Sequence, residues 1–112
     1  MNVKREERIA KVLGEVLREA DFGEADFFFS LLAEDGRPVF KAGTVDLSEV
    51  ADELFRCARA CGASRMIAYV GNFKVALLRL GSLTALIATM RERDLGLIAS
   101  LLEAKLGAEL GY

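Results

Sequence analysis

The chain has 112 residues, 53% of them apolar, and a formal charge of −2 at pH 7. That is enough apolar material for one hydrophobic core, so a single domain over residues 1–112 is expected. A net acidic chain lacks the basic face that a general nucleic-acid binder uses to displace counterions from phosphates, so no nucleic-acid partner is expected.

Met1 to Arg8 reads MNVKREER, and no uninterrupted apolar run follows that could serve as a secretory h-region, so a cytoplasmic location is expected. The longest apolar stretch, Val75 to Met90, is broken by Arg79, Gly81, Ser82 and Thr84. It is too short and too polar to insert in a membrane, and it reads as two buried strands.

In chain order, Ile9, Val12, Leu13, Val16, Leu17 and Ala20 recur at helical spacing opposite Glu7, Arg8, Lys11, Glu15, Arg18 and Glu19. They predict a first amphipathic helix that ends near Asp21 to Gly23, with the glycine available for a left-handed C-terminal residue. Phe27 to Ala33 and Pro38 to Gly43 flank Glu34-Asp35-Gly36-Arg37, and Asp-Gly between two β-rich runs predicts a hairpin. Pro38 has no N–H for a ladder, which suits the start of an edge strand.

Asp46-Leu47-Ser48-Glu49 has the spacing of a capping box, so a second helix is expected to start there, with Asp46 accepting from the first turn and Glu49 reaching back. Its apolar stripe is Leu47, Val50, Ala51, Leu54, Phe55, Ala58 and Cys61, and Gly62 stands at the C-cap. Glu49, Asp52, Glu53, Arg56 and Arg59 occupy the other side. Cys57 and Cys61 lie one turn apart, a poor arrangement for a structural disulfide, and are expected as plain buried or half-buried thiols.

Met66 to Val70, Phe73 to Leu80 and Leu83 to Met90 are joined by Gly71-Asn72 and Gly81-Ser82, which predicts a three-stranded antiparallel meander. Leu77 and Ile87 alternate with Leu78 and Leu86, so both faces of these strands are apolar and helices should cover both. Asp94 is placed to cap a last helix running through Leu95, Ile98, Leu102 and Leu106, widened by Leu97, Leu101, Ala104 and Ala108. A helix this apolar is deeply packed or shared with a partner. The order is α-β-β-α-β-β-β-α, an α/β (α+β) fold.

No catalytic machinery is legible. The absence of histidine removes the commonest general base and the middle member of Ser-His-Asp and Cys-His arrangements. There is no phosphate-binding loop and no dinucleotide fingerprint, so no cofactor, no resident metal and no enzymatic activity are expected. Glu34-Asp35 and Asp52-Glu53 read as a turn and a solvated helix face. Arg79, in an otherwise apolar strand, is expected to snorkel its guanidinium into water from a strand end, or to stand on a partner-facing rim.

Leu31-Leu32-Ala33-Glu34-Asp35-Gly36-Arg37-Pro38-Val39, Leu77-Leu78-Arg79-Leu80-Gly81-Ser82, and Leu86-Ile87-Ala88-Thr89-Met90 before Asp94-Leu95-Gly96-Leu97 occur together in an order that resembles the Roadblock (dynein light-chain) family, in its MglB-like bacterial and archaeal form. The resemblance covers nearly the whole chain. It implies a three-layer Roadblock/profilin-like sandwich: a five-stranded antiparallel sheet in order 2-1-5-4-3, with the second helix on one face and the first and third on the other.

The resemblance further implies a homodimer, or a pairing with a paralogue, through the third strand and the second helix, placing Leu54, Phe55, Arg65, Met66, Ile67, Ala68 and Tyr69 at the interface. Such a dimer would bind small Ras-like GTPases as a regulator or scaffold, with Glu49, Asp52, Glu53, Arg56 and Arg59 as the partner face. Any stimulation of GTP hydrolysis would come from ordering the GTPase's own switch residues, with Arg56 and Arg59 as exceptions to test. Two alternatives stand beside this one. The first is a PAS- or GAF-like sensor holding an apolar ligand among Phe28, Phe73, Leu77 and Met90; the second is a structural subunit of a larger complex.

Overall fold

A computed structural model describes residues 3–20, 26–90 and 95–110. The elements are α1 (Val3–Glu19), β1 (Phe27–Leu32), β2 (Pro38–Gly43), α2 (Ser48–Cys61), β3 (Arg65–Val70), β4 (Phe73–Leu80), β5 (Leu83–Met90) and α3 (Leu95–Glu109). This is the predicted order. The strands form one antiparallel sheet, β2-β1-β5-β4-β3, again as expected. Pro38 opens β2, an edge strand, where its missing N–H breaks no ladder bond.

The doubly apolar strands divide between two cores. On one face Phe29, Leu31, Ala76, Leu78, Leu80, Ala85 and Ile87 meet Ile9, Leu13 and Val16 of α1 and Leu95, Ile98, Leu102 and Leu106 of α3. On the other, Phe28, Val75, Leu77, Leu86 and Ala88 meet Ala51 and Ala58 of α2. Burying a large aliphatic or aromatic side chain contributes about 1.5–3 kcal/mol, so these two layers dominate the stability of the fold. The apolar surround of α3 is thereby partly explained: Leu95, Ile98, Leu102 and Leu106 are buried, whereas Leu97 remains 47% exposed.

The hairpin between β1 and β2 closes through Ala33 N–H donating to Arg37 O at 2.8 Å and Gly36 N–H donating to Ala33 O at 2.9 Å. Gly36 takes φ +88°, the positive angle the turn chemistry calls for. Gly43, at the end of β2, has φ +139°, and a β carbon there would collide with Phe27 O. Only glycine fits so close to a neighbouring backbone. Gly62 ends α2 in a left-handed conformation, its N–H and that of Ala63 returning to Arg59 O and Ala58 O.

The start of α2 departs from the expected capping box. The helix begins at Ser48 with Leu47 in the N-cap position and no side-chain cap bond. Asp46 instead accepts from both the backbone N–H and the hydroxyl of Ser48, two residues on. This is an Asx-type turn that leads into the helix rather than a bond into its first turn. The expected end of α1 at Asp21 to Gly23 and the expected cap at Asp94 lie outside the described residues.

Candidate interaction surface

β3 is the last strand of the sheet, so among the described residues no strand lies beyond its outer backbone edge. Its side chains alternate across the sheet. Arg65, Ile67 and Tyr69 stand opposite Leu78, Ala76 and Lys74, on the α1 and α3 face, while Met66, Ala68 and Val70 stand opposite Leu77, Val75 and Phe73, on the α2 face. Met66 and Val70 pack against the second core. Arg65 pairs with Glu103 of α3 at 3.4 Å, and the Lys74 ammonium lies 5.9 Å from the Tyr69 ring centre.

Ile67 is 47% and Tyr69 57% exposed; with Leu97 they are the large apolar side chains left exposed among the described residues. Two of the three therefore stand on one edge strand. An edge of that kind offers a row of backbone donors and acceptors beside apolar side chains, and natural sheets usually protect it with charge, proline or a covering element.

α2 has three sides. Ala51, Phe55 and Ala58 are buried against the sheet. Asp52 and Arg59 share the flank turned toward β1, β2 and their hairpin: Arg59 donates through Nη1 to Glu34 O, 25 residues away, and its guanidinium lies 5.7 Å from the Phe55 ring centre. Glu49, Glu53 and Arg56 point outward, with Arg56 paired to Asp52 at 2.9 Å across one helical turn. By helical spacing Val50, Leu54, Cys57 and Cys61 lie on the opposite flank.

The remaining residues expected at a site fall into place around this helix. Leu54 lies on the flank opposite the β1–β2 hairpin, half-buried against the second core. Phe55 is turned inward and only 8% exposed, because its ring fills the space beside Gly36. It supports the surface from beneath. Cys57 and Cys61 are both exposed rather than buried or half-buried, since Ala51, Phe55 and Ala58 already take up the face of α2 that meets the sheet. Among Glu49, Asp52, Glu53, Arg56 and Arg59, the last is anchored to the hairpin rather than standing free on the charged face.

Asp46 stands on the approach to α2. Its carboxyl is held below its ordinary range, chiefly by the hydroxyl of Ser48 and then by its backbone N–H, with a smaller contribution from Lys41. This carboxylate organises the approach to α2. It faces water and has the character of a structural turn rather than of an acid–base group.

Arg79 is exposed near the end of β4, as a snorkelling residue should be, and its Nε donates to Gly81 O at 3.3 Å. It stands on the rim of a cleft of about 40 Å³ between the C-terminal half of α2 and the two hairpin turns, lined by Glu34, Phe55, Arg59, Leu77, Arg79 and Ser82 among others. The sequence marks Arg79 and Arg59 separately, and only the packing of α2 across the sheet brings them to one cleft. Phe28 and Leu77, expected in a sensor pocket on the alternative reading, are instead buried in the α2-side core with Phe73 packed against them. No helix among the described residues is long and apolar enough to cross a membrane.

No family model and no curated protein matches the sequence. Solved structures do match over nearly the whole chain. An MglB in a tetrameric arrangement aligns with 97% of this chain and 90% of its own, with a TM-score of 0.76 at 16% identity. The gliding protein MglB from Thermus thermophilus aligns over 97% and 93%, with a TM-score of 0.70 at 15% identity. The Roadblock/LC7 domain from Streptomyces avermitilis aligns over 91% and 94%, with a TM-score of 0.68 at 13% identity. At these identities the likeness is one of fold. The chain therefore has the Roadblock/LC7 fold, the architecture that the resemblance of its hairpin and meander motifs implied.

Proposed function

We propose that the chain is a non-enzymatic, homodimeric regulator or scaffold that binds a small Ras-like GTPase in the cytoplasm. The observation that carries this reading is the position of β3 at the edge of the sheet, with Ile67 and Tyr69 exposed on it, in a fold shared with MglB. Antiparallel pairing of β3 with its copy would satisfy both edges, and the isologous contact would bring the Val50, Leu54, Cys57 and Cys61 flank of α2 toward its mate. The outward face of Glu49, Glu53 and Arg56, with the Arg56–Asp52 pair beside it, would then form a charged platform on each copy.

This reading needs no chemistry from the chain itself. A platform acts on hydrolysis by holding the switch segments of its partner in one conformation, which is a population shift rather than a catalytic step. The test is affinity capture: the purified protein is immobilised, and native cytosol from its source is passed over it with GDP or a non-hydrolysable GTP analogue. Retention of a Ras-like GTPase in one nucleotide state, lost on Glu53→Arg or Arg56→Glu, is the expected result. Failure to retain any GTPase in either state would leave the dimer without its proposed partner.

A further inference from the structure

The cleft at the end of α2 has a chemistry of its own, independent of a GTPase partner and the same whichever protein binds. Arg59 and Arg79 both line it, each guanidinium donating one N–H to a backbone carbonyl, Arg59 to Glu34 O and Arg79 to Gly81 O. The Phe55 ring beneath Arg59 fixes the plane of that guanidinium further. Ion pairs elsewhere neutralise Arg8, Arg56 and Arg65, but among the described residues neither Arg59 nor Arg79 has a carboxylate partner. The Glu34 side chain at the rim leaves the cleft with a net positive charge and can select against a second negative group on an incoming ligand.

Two guanidiniums already oriented and lacking a counter-charge cost little further ordering when an anion arrives, so they bind better than two flexible cations would. The apolar lining of the cleft includes Phe55 and Leu77. A volume of about 40 Å³ holds about three waters at 10–15 Å³ of probe-occupied space each. That suits a carboxylate and its methylene.

We infer that this cleft is a docking site for a single acidic side chain of a protein partner, its carboxylate bridging Arg59 and Arg79 and its methylenes resting on Phe55 and Leu77. Charge-assisted bonds to a guanidinium are the strong ones, and losing one costs on the order of tenfold in affinity.

The experiment titrates the isotope-labelled protein, at fixed ionic strength, with the capped peptide acetyl-Gly-Leu-Glu-Gly-amide, its Gln counterpart, and propionate, following arginine Nε–H and backbone resonances. The expected result is weak, saturable binding of the Glu peptide, with shifts confined to Arg59, Arg79, Ala63, Ser82 and the Gly36 turn. Binding should be about tenfold weaker for the Gln peptide, weaker for propionate, and reduced about tenfold by R79Q. Arg79 is exposed, so R79Q tests the site even if R59Q disturbs the hairpin; R59K should retain more binding than R59Q. Propionate binding as tightly as the peptide would replace the protein partner with a small acid and overturn the inference. So would equal binding of the Gln and Glu peptides, or shifts spread over all exposed arginines.

Discussion

A β carbon on Gly36 would stand 3.0 Å from the Phe55 ring, so the turn between β1 and β2 and the middle of α2 are fitted to one another through a hydrogen atom. The turn also needs φ +88° at Gly36. Gly36→Ala should therefore destabilise through two independent causes, backbone strain and a crowded ring, by about 1–3 kcal/mol. Chemical denaturation measures it. A cycle with Phe55→Leu separates the causes: the ring-contact share should shrink in that background while the φ share persists. An unchanged penalty would assign the whole cost to the backbone.

Asp46 yields a pH prediction with a definite sign. Its folded-state carboxyl is held below the ordinary range by Ser48, so its contribution is present above the unfolded carboxylate range and fades as pH falls through the lowered folded value. Asp46→Asn should lower the melting temperature at neutral pH, and the difference from the parent protein should close as pH falls below about 4. Thermal melts across that range check it. A gap that widens in acid would contradict the assignment.

The apolar periods of α1 and of the meander, the two-residue turns and the Asp-Gly hairpin are all readable, because each depends on residues close together in the chain. The doubly apolar strands also announce helices on both faces. Other features depend on contacts between distant residues. Arg59 is anchored at Glu34, 25 residues away, and neither residue carries a local mark of that bond. Cys61 falls within the apolar period of α2 yet is exposed, because the width of a helix's buried face is set by what packs against it. Asp46 has the right spacing for a capping box but finds Ser48 closer.

Thiol reactivity distinguishes the free chain from the proposed dimer. Cys57 and Cys61 are exposed in the monomer, so both should label rapidly with a maleimide when the chain is dilute. Pairing through the Val50 and Leu54 flank of α2 would slow labelling at high protein concentration. Val50→Asp should restore the fast rate at every concentration. Fast labelling of the parent protein at every concentration would place α2 outside the interface.

Self-association through β3 underlies the whole functional reading, and sedimentation equilibrium of the parent protein beside Ile67→Glu tests it most directly. Ile67 is nearly half exposed, so the substitution costs the monomer little. In a paired edge it would set two like charges near the two-fold axis. The predicted result is a dimer for the parent and a folded monomer for Ile67→Glu. A parent protein that stays monomeric at high concentration, or an Ile67→Glu variant that dimerises equally well, would contradict self-association through this edge.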